Sequence, residues 1–183
     1  VIIEDGAEAH GAEYFSKKNN RRIKCGGFGK LACFSFYANK IITTGEGGMV
    51  LTSDDKLAER LKSHRNLCFL KEPRFLHHEI GNNFRMTNVQ AAIGLAQMEY
   101  IEKTVRRKID IAKKYSGFLE GLPLGLPIEK EWARNVIWMY SVILNDSGAA
   151  MRFFKEGWHD LKTSEFKEWP VYKIMGELKE KGV

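Results

Sequence analysis

Apolar residues along the chain fall into short runs and one long periodic stretch. Val1-Ile2-Ile3 is a β-branched run that stops at Glu4-Asp5-Gly6, the pattern of a buried strand with acids at its C-terminal end. Residues 11–30, with glycines at 26, 27 and 29, predict a loop region. A second strand is expected from Leu31 to Phe36 and a third from Gly48 to Thr52. The loop between them closes on Gly45-Glu46-Gly47-Gly48. Ser53 stands where a cap would start a helix to about His64, with Leu57, Leu61 and Ala58 facing inward. Residues 66–86 read as irregular and carry Pro73 and the pair His77-His78.

From Thr87 to Leu119 the residues Val89, Ala92, Ile93, Ala96, Ile101, Val105, Ile109, Ala112 and Tyr115 recur at three- and four-residue spacing. This predicts a long helical segment. Its first half, rich in small apolar residues, is expected to pack deep, and its second half to carry Arg106-Arg107-Lys108 and Lys113-Lys114 on the wet side. Gly121 to Pro127 is a break and an expected domain boundary. Val136 to Leu144 reads as a strand, and Phe153 to Trp158 and Ile174 to Lys181 as helices. Strands mixed with helices and joined by long loops point to an α/β protein.

Composition narrows this picture. The chain has 183 residues, 44% of them hydrophobic and 28% charged. Those values sit near the globular averages and exclude a disordered tail or a collagen-like repeat. The length suits one domain, or one and a fraction. No apolar run approaches the roughly 20 residues of a membrane helix, and the N-terminus lacks the marks of a signal peptide, so no membrane partner is expected. The chain opens with Val on a strand and ends just past a helical pattern, so both ends are expected to be cut from a longer protein. The net charge is +6, and much of the excess sits between Lys17 and Lys24. That run has no interleaved aromatics, so a solvated loop is expected there and nucleic acid is not an expected partner. Cys25, Cys33 and Cys68 form no C-x-x-C pair and are odd in number. This argues against a disulfide framework or a zinc ribbon, and for a reducing, cytoplasmic compartment. Cys33, in the apolar run Leu31-Ala32-Cys33-Phe34, is expected to be inert core.

Several residues are candidates for chemistry. Asp5 ends a strand, and in open α/β sheets ligands bind beyond the carboxyl ends of strands. An acid there can serve a cationic ring nitrogen or a metal, or simply face water. His10 is isolated, and the five histidines show no ligand spacing, so no metal is expected. Lys40 is the sharpest candidate. A lysine among apolar and small residues is poorly solvated, which favours the free amine that a Schiff base needs. Pyridoxal phosphate chemistry asks for such a lysine. It also asks for an Asp that keeps the pyridine nitrogen protonated, polar groups for the phosphate and an apolar wall. Asp5, Ser35 and Lys40 are candidates for the first three.

The segments VIIEDGAEAHGAEY, FGKLACFSFYANKIITTGEGGMVLTSDDKLAERL and GNNFRMTNVQAAIGLAQMEYI resemble the DegT/DnrJ/EryC1/StrS sugar aminotransferases over about residues 1–145. The resemblance implies an aspartate-aminotransferase-like (type I) PLP-dependent transferase fold, present only in part. Residues 1–121 would be the C-terminal part of the PLP-binding large domain, and residues 122–183 part of the small domain. It further implies a homodimer with shared sites. Lys40 would be the lysine that bears the cofactor and moves protons, and Asp5 the pyridinium partner. Glu8 would lie near the ring's phenolic oxygen, His10 near the cofactor face, and Ser35 at the phosphate. Asn83 would reach the cofactor phosphate of the partner subunit. The implied reaction transfers an amino group from glutamate to a nucleotide-linked 4-keto-6-deoxy sugar, GDP-linked. Relatives that act as dehydratases carry His in place of Lys40, so Lys40 speaks for transamination. The family's N-terminal part is missing here. Lys30 stands where Asp is usual, Asn82 stands where Tyr is common, and residues 147–172 depart from the pattern. A truncated chain that binds the cofactor weakly or not at all, without turnover, is the alternative reading.

Overall fold

The computed structural model describes residues 1–122, 124–144 and Glu180. In chain order its elements are β1 (Ile3–Asp5), β2 (Glu13–Ser16), β3 (Arg21–Lys24), β4 (Leu31–Ser35), β5 (Gly48–Leu51), α1 (Asp55–Arg65), α2 (Asn88–Met98), α3 (Ile101–Leu119), β6 (Leu124–Gly125), β7 (Ala133–Arg134) and β8 (Ile143–Leu144). They divide between two compact units. The first holds Val1–Ala112 with Glu129–Met139, and the second Lys113–Ile128 with Tyr140–Val183. The helices expected at 153–158 and 174–181 lie outside the described residues, apart from the helical Glu180.

In the first unit, β1 and β4 pair in parallel, with Asp5 opposite Cys33, and β5 joins the other side of β4 antiparallel. The expected strands are therefore present, but their faces differ from expectation. Ile2 and Ile3 are exposed, and the inward residue of β1 is Glu4, only 6% exposed. Its carboxylate accepts three backbone N–H groups, from Gly26 at 2.6 Å, Phe28 at 2.9 Å and Gly29 at 2.5 Å. Gly26 has φ +94°, and a Cβ there would lie 2.6 Å from the Phe34 ring, so only glycine fits beneath that ring. The alternation of β4 buries Ala32 and turns Cys33 outward, which corrects the expectation that Cys33 is core.

Residues 11–30 are not a plain loop. They hold the hairpin β2–β3, which β7 joins to make a second antiparallel sheet. Its strands carry Glu13, Ser16, Arg21, Arg22 and Lys24, so no apolar period marks them. Side-chain contacts support the pairing. Arg134 bonds Glu13 at 3.3 Å, and Tyr14 meets Phe28 edge-on at 4.8 Å. Lys30 forms an ion pair with Asp54.

The cap of α1 is Asp54, not Ser53; its carboxylate accepts the Leu57 N–H at 3.0 Å. Leu57, Ala58 and Leu61 are half-buried. The long periodic segment is two helices. Thr87 and Gln90 form a capping box at the start of α2, and the chain re-turns at Glu99-Tyr100, where neither Gly nor Pro announces a stop. No residue of α2 is buried among the described residues, against the expected deep packing. Val89, Ile93, Leu95 and Met98 are exposed. In α3 the expected stripe holds in part, with Ile101 and Ile109 half-buried and Tyr115 exposed. Val105 and Ala112 are buried, and Val105 joins Phe36, Ile41, Ile42 and Val136 in the core of the first unit. The strand expected at Val136–Leu144 shrinks to β8. Ile137 takes φ 48°, a left-handed backbone that is rare for a β-branched residue and ends any extended run. In the second unit β8 pairs with β6, and the Ser116 and Tyr140 hydroxyls bond at 2.8 Å.

Glu4 fastens the end of the crossover that leads into β4. Glu4→Ala should lower the unfolding free energy by roughly 3 kcal/mol, because three partly buried amides lose a charged acceptor together. Urea denaturation checks this, and an unchanged midpoint would remove Glu4 from that role.

Candidate functional site

Parallel pairing brings the C-terminal ends of β1 and β4 to one edge of the sheet. The Gly6 N–H donates to the Cys33 carbonyl at 2.8 Å and closes that edge. Asp5 ends β1 exposed, and its Oδ1 accepts the Ala7 N–H at 3.1 Å. Ser35 ends β4 half-buried, and its Oγ accepts the Tyr37 N–H at 3.2 Å. The chain then turns, with the Lys40 N–H donating to the Tyr37 carbonyl at 3.0 Å.

The Lys40 side chain is only 10% exposed although it lies in a loop. Buried neighbours explain this: Phe36 precedes the turn, and Ile41 and Ile42 follow it into the core. Lys40 Nζ lies 3.1 Å from Glu8 Oε1 and 3.8 Å from the centroid of the Trp138 ring. Two glutamines of α2 hold the segment after Lys40. Gln97 accepts the Thr43 N–H at 3.1 Å and donates to the Thr43 carbonyl at 2.6 Å. Gln90 donates to the Glu46 carbonyl at 3.1 Å.

His10 is 5% exposed, with its ring 5.3 Å from that of Phe34 and 5.8 Å from that of Phe36. Neither of its ring nitrogens makes a hydrogen bond of good geometry among the described residues, although the Ser35 backbone is close enough to raise its pKa against the larger lowering causes. Burial, first, and then the Lys40 charge hold its pKa below the ordinary imidazole value. An orphaned buried imidazole is a costly feature that calls for a partner.

The structure thus brings Lys40 and Glu8 into contact and packs His10 against the two phenylalanines that flank Ser35, while Asp5 lies at the same end of the paired strands. Asn83 makes no side-chain hydrogen bond to these groups; it is exposed, and its backbone bridges to Asn66. Glu4, Gln97 and Trp138 escape a reading by motif. A signal existed for Glu4, an acid inside an apolar strand upstream of a glycine-rich loop. None existed for Trp138, whose Nε1–H donates to the Asn39 carbonyl at 2.8 Å across 99 residues.

Comparison with known proteins fits this arrangement. The model of the DegT/DnrJ/EryC1/StrS aminotransferase family matches residues 1–168. The GDP-perosamine synthase of Caulobacter vibrioides is 40% identical over 154 residues, which cover 83% of this chain and 40% of that protein. The GDP-perosamine synthase of Vibrio cholerae is 39% identical over 144 residues, 79% of this chain and 38% of that one. Among solved structures, DesV from S. venezuelae, in complex with a ketimine intermediate, superposes with a TM-score of 0.68 at 33% identity. It covers 85% of this chain and 40% of its own. The chain spans about 40% of the length of the curated relatives it matches.

His10 gives a pH signature. Its folded pKa lies below the ordinary 6.5, so below about that pH the unfolded chain takes up a proton that the folded chain resists. Its contribution is therefore whole above 6.5 and is lost as pH falls from there toward the folded pKa. Denaturation of His10→Phe alongside the parent across that window should show a shallower loss of stability in the variant. Parallel pH curves would contradict it.

Proposed function

The chain belongs to the DegT/DnrJ/EryC1/StrS aminotransferase family, and on that premise we propose that it is the lysine-bearing part of a PLP-dependent sugar aminotransferase. Its fold is the corresponding part of the type I transferase fold. We assign residues 1–121 to the large domain and 122–183 to the small one. The substrate is a nucleotide-linked 4-keto-6-deoxy sugar, GDP-linked as the perosamine synthases' names suggest, with glutamate as donor.

One observation carries this reading: the nearly covered Lys40 amine at the carboxyl edge of a parallel strand pair. The donor set fits the cofactor. An amine, a strand-end acid, a strand-end hydroxyl and a buried imidazole with two uncommitted nitrogens lie in neighbouring segments. Pyridoxal 5'-phosphate, when bound, supplies the electron sink. Asp5 would hold the proton on the ring nitrogen, and Ser35 would donate its hydroxyl to the phosphate. Glu8 would face the phenolic oxygen, and His10 would line the cofactor face. Lys40 Nζ would attach the cofactor and, when free, take up and return the proton as general base and then acid. Asn83, exposed and away from this cluster, would serve the phosphate in a second copy of the chain. A homodimer would also cover the apolar residues of α2, among them Val89, Ile93 and Leu95. No helix among the described residues is long and apolar enough to cross a membrane. We assign the protein to the cytoplasm on its unpaired cysteines. The exposure of Asp5 and Asn83 favours a second reading, a family member that holds the cofactor poorly and does not turn over.

Trapping tests both. The chain mixed with PLP and reduced with borohydride should carry its label on Lys40 by peptide mapping. Lys40→Ala should lose the visible absorption band and keep its circular dichroism. A band that survives in the variant would refute the assignment, and label scattered over surface lysines would favour the second reading. Sedimentation should show an oligomer; a monodisperse monomer would count against the dimer.

A further inference from the structure

Trp138 belongs to no recognised motif, yet it touches the candidate site twice. Its ring face lies 3.8 Å from Lys40 Nζ, well inside the roughly 6 Å reach of a cation–π contact. Its Nε1–H bonds the carbonyl of Asn39, the residue before Lys40. One indole therefore fixes both the backbone and the amine of the same lysine. Its own position is set by packing on the core formed by Phe36, Ile41, Ile42, Val105 and Val136.

The other group on the amine is Glu8, and the two contacts are unequal. The Glu8 side chain is 56% exposed, so its ion pair is loose and screened by solvent. The indole lies where the lysine is covered, and a desolvated cation–π contact is the stronger kind. The burial of Lys40 is thus matched mainly by an aromatic face and not by an anion.

We propose that Trp138 is the positioning residue for Lys40, holding its nitrogen over the indole face, aimed along the carboxyl ends of β1 and β4. The proposal rests on the reading of Lys40 as the cofactor-bearing lysine. The same indole face lies against the end of the lysine side chain and limits the directions it can take. What Trp138 contributes is then preorganisation: the side-chain freedom of Lys40 is already spent when the cofactor arrives.

The test compares Trp138→Phe, which keeps a ring face but loses the N–H, with Trp138→Leu, which fills space without a face. PLP is titrated into each by its visible band, with thermal melting as the control for folding. Trp138→Leu should raise the apparent Kd about 3- to 10-fold, and Trp138→Phe should recover much of that loss. A packing role alone would treat Phe and Leu alike, and equal values for the two variants, or an unchanged Trp138→Leu, would overturn the proposal. A second readout needs no cofactor. Lys40→Met in the otherwise unaltered chain should change the tryptophan emission, and the same change should vanish in a Trp138→Phe background. Unaltered emission would overturn the contact itself. If the parent chain shows no visible band, the assignment of Lys40 to the cofactor fails, and the emission experiment still decides whether Trp138 holds it.

Discussion

A parallel strand pair cannot be closed by a tight turn; the chain must travel back before the second strand begins. Between β1 and β4 that return is made by residues 6–30. It contains no helix among its elements, only the hairpin β2–β3, so little secondary structure pins its far end to the sheet. Glu4 does so instead, reaching from inside β1 to the amides of the loop that delivers β4. The rest follows from this anchoring. With Asp5 opposite Cys33, β4 runs on two residues past the end of β1, and Ser35 and the turn to Lys40 emerge beyond Asp5 at the same edge.

The loop that carries Lys40 is anchored for a comparable reason. A loop with few apolar residues would be held by little, but Ile41 and Ile42 are inserted into the core directly after the lysine. The Gln97 amide then takes both backbone polar groups of the part-buried Thr43, and Gln90 adds a bond to the exposed Glu46 carbonyl. The helix thus contributes its polar face to the site while its apolar residues stay uncovered.

Much of the fold could be read from the chain because strands β1, β4 and β5 and helices α1 and α3 follow simple periods. The misses share a cause. The β2–β3 hairpin has charged residues on its paired positions, so pairing and not patterning defines it. Helices α2 and α3 join without Gly or Pro, and the junction shows only as one five-residue step, from Ala96 to Ile101, in a spacing otherwise of three and four. Apolarity alone puts Val1–Ile3 and Cys33 inside, whereas alternation about Glu4 and Ala32 decides the faces. The expected site residues from Asp5 to Lys40 lie close in sequence, on β1, β4 and the segments that follow them. Trp138 could not be read, since a contact spanning 99 residues leaves no local trace.

That long span has a consequence for how the protein is made. Synthesis runs from the N-terminus at roughly 5–20 residues per second, so the 99 residues between Asn39 and Trp138 take on the order of 5–20 s to appear. During that interval the nascent chain already carries both strand ends and their lysine, but not the aromatic lid of the amine. The lysine's surroundings are therefore completed only after the ribosome has moved past the segment that closes them.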